Sequence, residues 1–420
     1  MILILGAGLA GLSLAYHLGD APYMILEKEQ EPGGLCRSMK LDGFTFDYTG
    51  HLLHWRNPYT PSLLEELLPD GWIGHRRRAA IYLYGRFIPY PFQANLWALP
   101  RGVREDCIKG YQDRRGTGDD FLSWIEAHFG KGMAEHFFIP YNRKLWRIPL
   151  EEISPEWAER FIPKPSPEEV LRGRGNPLQQ QLGYHRSFLY PKEGGIGTLA
   201  EALAQRVKGL QLGRAVSSIR PKDRVVVLED GEELPYQLLV STLPLPELLE
   251  MMEGLPEEVL QGAKGLRYVS VFVIGMAVDR PEVSPYHWIY FPEARFPFYR
   301  VGFPSSLSPK MAPEGKSSLC VEVSHRPDEP LNQQALIDQT LQGLSEAGII
   351  QEGDRVRVLL TLDIRYAYVI YDKGRRALLP KVLQFLEGYG IRCLGRYGLW
   401  QYATMEDVLL EGRDLATELR

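Results

Sequence analysis

Gly6, Gly8 and Gly11 stand in the spacing G-x-G-x-x-G, with Ala7, Leu9 and Ala10 between them. That spacing can hold a dinucleotide. The first glycine permits a tight turn, the second lets backbone approach a pyrophosphate, and the third lets a helix pack closely on the preceding strand. The amides that open this helix offer unpaired N–H groups and partial positive charge to the anion. Glu27 follows 21 residues after Gly6, at the end of the apolar run Tyr23-Met24-Ile25-Leu26. A ribose hydroxyl requires a carboxylate at that place.

The flanking pattern supplies the elements that position these groups. Ile2–Leu5 reads as a buried strand, the glycines as the turn, and the apolar residues after them as a helix. Behind Glu27-Lys28 comes a second glycine pair, Gly33-Gly34, followed by Leu35 and Cys36, and then the run Gly43–His51, which ends in Thr49-Gly50-His51. A nicotinamide domain normally proceeds to another plain βαβ unit. This arrangement instead resembles the large family of FAD proteins that includes amine oxidases, protoporphyrinogen oxidase and UDP-galactopyranose mutase. The resemblance implies FAD as cofactor, with Gly33-Gly34 against it and the Gly50-His51 loop over the isoalloxazine.

The dinucleotide-type pattern recurs in three separated blocks, 1–95, 190–245 and 388–420. In the second, a glycine turn leads into a helix at Leu199–Val207, and strands are expected at Val225–Leu228 and Gln237–Leu243 around the turn Glu229-Asp230-Gly231. Val216 fits a strand edge whose backbone can touch adenine. The third block carries Ile391–Arg396, with Gly395 and Arg396, and then a helix from Met405 whose N-terminus is implied to face the flavin. Residues 96–189 show helical spacing at Phe121–Phe129 and Met133–Phe138. Residues 246–387 are strand-rich at Tyr268–Val278, Trp288–Phe291, Leu319–Ser324 and Arg355–Ile364, with helical spacing at Leu331–Ala347. The expected fold class is α/β. A discontinuous Rossmann-like FAD-binding domain would carry a mainly helical insertion and a mainly antiparallel substrate-binding sheet.

Five further segments resemble UDP-galactopyranose mutases in particular. Arg86–Asn95 is similar to a mutase segment whose glutamine, here Gln93, sits in the active site. Pro140-Tyr141-Asn142-Arg143-Lys144-Leu145-Trp146 resembles P-Y-N-x-K-x-W, which implies Asn142 and Trp146 at the uridine. Trp157-Ala158-Glu159-Arg160 resembles W-x-x-E-R with a connection one residue shorter, which implies Arg160 on the diphosphate. Trp288-Ile289-Tyr290-Phe291-Pro292-Glu293, continuing to Pro297-Phe298-Tyr299-Arg300, is similar to W-x-Y-F-P-E…P-F-Y-R. It implies Trp288 and Tyr290 at the nucleotide and Arg300 at the diphosphate. Gly395–Tyr402 resembles G-R-[FY]-G-x-W-x-Y, with Arg396 near the FAD pyrophosphate and Tyr402 at the substrate diphosphate. The implied reaction is a redox-neutral pyranose–furanose exchange of a nucleotide sugar through an adduct of the sugar on flavin N5. Arg160 and Arg300 would hold the leaving diphosphate and the His51 loop would tune N5. The implied partners are a UDP-sugar and an external reductant.

The chemistry holds without the family. A diphosphate carries about two charges, and guanidinium forks bind its oxygens in pairs. Each residue also has a plain reading. An isolated arginine is usually a surface ion pair, Trp146 and Trp288 suit a core, His51 suits a satisfied buried histidine, and Gln93 suits a loop. Their ordered co-occurrence over nearly the whole chain favours a shared site. The chain also departs from the mutases. His185 replaces an asparagine, Leu307 a phosphate-binding tyrosine and His54 a phenylalanine. A Y-x-Y-P-like stretch reads Tyr366-Ala367-Tyr368-Val369, with Tyr368 as the site candidate. An intact cofactor end with an altered substrate end admits a related or divergent substrate. The alternatives are an FAD oxidase of the amine oxidase or protoporphyrinogen oxidase type, which takes hydride from an amine or apolar substrate, and an FAD-binding scaffold without catalysis.

Composition bounds these readings. At 420 residues the chain exceeds one core, so two or three subdomains are expected. A net charge of −5 argues against a nucleic-acid partner, and the short run Arg76-Arg77-Arg78 is either a solvated face or a reach toward an anionic ligand. Cys36, Cys107, Cys320 and Cys393 show no CxxC spacing, so neither a disulfide scaffold nor a metal site is expected and a cytoplasmic location is. The apolar start lacks a basic lead-in and belongs to the glycine motif, so it does not read as a signal peptide. No apolar run reaches about 20 residues, so no membrane span is expected.

Overall fold

The computed structural model describes residues 1–116, 118–175, 182–183 and 186–420, and the departure at His185 lies outside the described residues. Ile2–Leu5 is the middle strand of a five-stranded parallel sheet. The order is Ile391–Cys393, Leu238–Ser241, Ile2–Leu5, Tyr23–Leu26, Leu210–Gln211. A parallel sheet is covered on both faces, which is why Leu3, Ile4 and Leu5 are all apolar and buried. The helices Leu9–Leu18 and Met405–Leu419 pack together, and Ser13 Oγ donates to Leu409 O at 2.7 Å. Their closeness requires Gly412, where a Cβ would lie 2.7 Å from Leu14 N.

The turn at Glu229–Gly231 does reverse the chain, but the strand after it is Glu233–Pro235. This strand forms a three-stranded antiparallel sheet with Val216–Arg220 and Val225–Leu228. The strand expected at Gln237–Leu243 is found as Leu238–Ser241, and it lies in the parallel sheet beside Ile2–Leu5. Its continuous apolar residues suit burial on both faces better than a place in a ribbon with one wet face.

The second large sheet has seven strands in the order Val356–Val369, Tyr268–Val278, Ser317–His325, Arg300–Gly302, Trp288–Tyr290, Ala79–Leu83, Arg86–Pro89. Every joint is antiparallel except that between Trp288–Tyr290 and Ala79–Leu83. The last two strands come from the first 95 residues, so that expected block divides between the two sheets. Ala79–Leu83 is buried at all five positions, which only a place inside a covered sheet satisfies.

The insertion is helical at Arg101–Gln112, Phe121–Met133 and Ile139–Trp146. Its core joins Phe92, Phe121, Trp124, Phe129, Phe138, Trp146 and Trp157. The helix Lys373–Gly388, within a region expected to be strand-rich, contains Pro380, which obscures its signal in the sequence.

Candidate active site

The glycine motifs build one cradle. Gly6 N donates to Leu26 O at 2.8 Å and Gly33 N donates to Ala7 O at 2.8 Å. Glu27 accepts from Ala7 N at 2.8 Å and from Glu29 N at 3.0 Å, so the acid sits directly under the loop. Gly8 and Gly33 form a parallel bridge, and a Cβ on Gly34 would lie 3.3 Å from Gly8 Cα. A Cβ on Gly11 would lie 2.1 Å from Gly6 O, and one on Gly395 would lie 2.6 Å from Ala10 Cβ. Backbone segments therefore meet at Gly6, Gly8, Gly11, Gly33 and Gly34 with no side chain between them, and Gly395 lies against the Ala10 methyl, the cradle that a pyrophosphate requires.

The remaining cofactor candidates sit around it. Arg214 N donates to Glu27 O at 2.8 Å, which lays Arg214–Val216 beside the acid. Leu35 and Cys36 are half-buried, and burial pushes the Cys36 thiol up to about 12. Lys28 is exposed. Met405 is the buried first residue of its helix, which is capped reciprocally by Thr404 and Asp407.

On the other side lies His51, with Nδ1 3.2 Å from Thr49 Oγ1. Burial, with Arg396 and Arg300 nearby, lowers His51 to about 4, so it is neutral at neutral pH. Arg300 runs along the same loop, since a Cβ on Gly50 would lie 3.5 Å from Arg300 Nη2. Glu322 grips Arg300, accepting from Nε at 3.0 Å and from Nη2 at 2.7 and 2.8 Å. The Glu322 side chain is 2% exposed and also takes the Tyr299 hydroxyl. Burial opposes the charge on Arg300, and Glu322 together with Tyr368, Tyr299 and Tyr290 outweighs it, holding the guanidinium charged.

Around this pair runs a wall of phenols. Tyr290 meets Tyr90 and Tyr141 with ring centroids 5.4 Å apart in each case. Tyr141 meets Tyr299 at 6.4 Å, Tyr299 meets Tyr368 at 6.4 Å, and Tyr368 stacks on Tyr402 at 6.1 Å. Arg396 closes the wall with its guanidinium 4.5 Å from the Tyr402 ring, donating to Ala403 O at 3.0 Å and to Ala367 O at 3.2 Å. Trp288 is buried beside Tyr290 at 6.5 Å. Of the two candidate tyrosines, Tyr368 lies in this wall while Tyr366 packs on Tyr268 and Trp400. A bulge between Ile364 and Tyr368 separates their directions.

Other expected residues are placed differently. Gln93 is 1% exposed and donates to Pro163 O at 2.5 Å. Asn142 and Trp146 are 3% and 1% exposed. Trp146 Nε1 donates to Asn142 Oδ1 at 3.1 Å, and Asn142 Nδ2 donates to Phe138 O at 2.8 Å. These polar groups are satisfied inside the helical insertion, and the Trp146 ring lies 6.0 Å from Tyr368 in the wall. Arg160 Nη2 donates to both carboxylate oxygens of Asp407, at 2.7 and 2.8 Å, and joins the insertion to the C-terminal helix. Arg76 and Arg78 are exposed, but Arg77 is buried over the Tyr90 ring at 4.6 Å, so the run serves as both surface and site wall. Leu307 is buried, and its carbonyl lies 2.8 Å from His75 Nε2. His54 packs on Phe188 at 5.7 Å.

Sequence reasoning missed several groups. Glu322 had a usable signal, a lone acid in the apolar run Leu319–Val323. Asp47 accepts from Ser38 Oγ and Tyr190 OH at 2.6 Å each and from Ile196 N at 3.1 Å, and burial pushes it up to about 6. Glu406 accepts from Arg56 N, Asn57 N and Thr60 Oγ1, tying the loop after His51 to the C-terminal helix.

The family model of flavin containing amine oxidoreductases matches residues 9–419. The chain belongs to this family. FAD is its cofactor, and the side-chain-free cradle fits it. Among solved structures, the flavoenzyme is similar to a reduced UDP-galactopyranose mutase, 29% identical with a TM-score of 0.95, covering 100% of this chain and 95% of that one. It shares its fold with a candidate protoporphyrinogen oxidase from Exiguobacterium sp. 255-15, 17% identical with a TM-score of 0.76, covering 100% and 98%. It is also 24% identical over 336 residues to a 4,4'-diapolycopene oxygenase of Methylomonas sp, a match spanning 69% of this chain and 65% of that protein. Among the described residues, no helix is long and apolar enough to cross a membrane, and no group of three or more His, Cys, Asp or Glu residues is placed to hold a metal.

Proposed function

We propose that this flavoenzyme is a nucleotide-sugar mutase of the UDP-galactopyranose mutase type, exchanging pyranose and furanose forms of a UDP-sugar without net redox change. The observation that carries the reading is Arg300, held charged by Glu322 within the phenol wall and lying along the Gly50-His51 loop. The near end-to-end likeness to a mutase supports it. FAD, bound at the glycine cradle and reduced by an external donor, supplies a nucleophile for the anomeric carbon.

The chain's own residues bind and orient. Arg300, whose Nε and Nη2 are held by Glu322, turns its remaining guanidinium N–H groups to the diphosphate as that group leaves and returns. Tyr290 and Tyr402 donate phenol hydroxyls, and Trp288 packs behind Tyr290. Arg160 is the second guanidinium, shared between Asp407 and the diphosphate. His51 adds no charge that would compete for the anion. A cytoplasmic location belongs to the same reading.

UDP titration of the oxidised yellow protein is the test, followed by turnover after dithionite reduction. The expected result is UDP binding, with conversion of UDP-galactofuranose by the reduced protein only. Arg300→Lys keeps the charge but loses the fork, and UDP affinity is expected to fall about tenfold with the flavin spectrum unchanged. The absence of both UDP binding and conversion by the reduced protein overturns the proposal. Leu307, in place of a phosphate-binding tyrosine, favours the second reading, an FAD oxidase. Anaerobic bleaching by an amine or apolar substrate, with peroxide formed in air, would establish that one.

A further inference from the structure

Lys144 is a half-buried lysine that the proposed reaction leaves without a task. It lies on the helix Ile139–Trp146, one turn after Tyr141. Its Nζ donates to Phe291 O at 2.7 Å, to Glu293 O at 2.6 Å and to Phe298 O at 3.2 Å. An ammonium has three donors, and all three go to one short connection. That connection joins the strand Trp288–Tyr290 to the strand Arg300–Gly302 and closes through Phe291 N on Tyr299 O at 2.9 Å. The Lys144 carbonyl accepts from Ser324 Oγ, two residues beyond Glu322.

Three carbonyl oxygens converging on one point present their negative ends to each other, and only a cation or several donors can hold them there. Taking an ammonium even partly out of water is itself costly, so this arrangement has no purpose as mere filling. The Glu293 carboxylate faces Arg295 at 3.2 Å, and the lysine is satisfied by backbone alone among its hydrogen-bonded partners. Glu322 fixes Arg300 at the guanidinium end. The carbonyl claw fixes the same residue at the backbone end, two positions after Phe298.

We propose that Lys144 is a positioning residue that gathers the carbonyls of Phe291, Glu293 and Phe298 and so sets the hairpin presenting Tyr290 and Arg300 to the ligand. The ligand-facing part of this statement rests on the proposed function.

Hydrogen exchange on the FAD-loaded protein tests it, comparing wild type with Lys144→Met, which keeps the length and removes the donors. Amides of residues 291–302 are expected to exchange about tenfold faster or more, with the Ile2–Leu5 amides and the flavin spectrum unchanged. Unchanged hairpin exchange overturns the proposal, and so does equal loosening of both sheets, which would make Lys144 a general stabiliser. Should the Met variant not fold, Lys144→Gln keeps two donors and is expected to give intermediate exchange, and wild-type exchange in it overturns the proposal. On the same samples UDP affinity should weaken with hairpin exchange. A lowered unfolding midpoint with UDP affinity intact overturns the positioning role. Wild-type protein that binds no UDP removes the mutase reading alone, because the exchange comparison is read without ligand.

Discussion

The cofactor cradle and the phenol wall are built by opposite means. The cradle is backbone meeting backbone, with Gly6, Gly8, Gly11, Gly33 and Gly34 within one short stretch and Gly395 brought to them. What matters there is the absence of side chains. The wall is side chain against side chain, from Tyr90 to Tyr402, around the guanidinium of Arg300 and its buried carboxylate Glu322. A site of the first kind is sensitive to added volume, and one of the second kind to lost charge or lost partners.

The largest expected effect breaks the wall. Glu322→Ala leaves the half-buried Arg300 without its carboxylate and Tyr299 without its acceptor, which should cost about 3 kcal/mol of stability in urea unfolding. The folded fraction should retain FAD and lose UDP binding. Loss of FAD together with UDP would show that the two regions are not separable. The complementary change is Gly11→Ala, whose methyl would sit 2.1 Å from Gly6 O. The helix must shift away from the strand at a cost of about 1–3 kcal/mol, and the ratio of flavin to protein absorbance should fall. Undiminished flavin content would mean that the cradle tolerates volume.

A pH scan sharpens the comparison with smaller effects. Burial lowers His51 and His54 to about 4 and His287 to about 3. An unfolded histidine titrates near pH 6.5, so below that pH the unfolded chain takes up protons that the fold refuses. Their contribution is complete above pH 6.5 and is lost as pH falls toward 4. Asp47, raised to about 6 by burial, works the other way: its contribution is complete below the ordinary aspartate range and is lost as pH rises through 6. His54 and His287 both pack on Phe188, and Trp288 packs on the same ring. Hydrogen exchange at pH 5 should therefore show the Trp288–Tyr290 strand loosening before Ile2–Leu5. The smallest expected effect is that of Thr49→Val, which removes the hydroxyl beside His51 Nδ1 and should cost about 1 kcal/mol, read as a lowered urea midpoint.

The cradle was legible because its requirements are local. Gly6, Gly11 and Gly34 must be glycine for reasons of close approach or backbone direction, and Glu27 follows at a distance set by one helix and one strand. The parallel strand at Ile2–Leu5 was legible for the same reason, since both faces are covered and the residues are continuously apolar. The hairpin partner at Glu233–Pro235 was not, because a short polar strand carries little periodic signal.

By itself, the sequence determined that this protein holds a dinucleotide, and by resemblance that the dinucleotide is FAD. By the same resemblance it pointed to Arg160, Arg300, Tyr290 and Tyr402 as candidates for one substrate site and to Arg396 for the cofactor. Only the tertiary structure decided how charge and packing are shared out. Arg300 belongs to Glu322 on the neighbouring strand, Arg160 to Asp407 on the C-terminal helix, and Asn142 to Trp146 within its own helix. A bulge, not the residue type, chose Tyr368 over Tyr366. The physical reason is that a glycine's lack of a side chain is a property of one position in the chain. The state of a buried charge depends on which distant groups the fold brings within hydrogen-bonding distance.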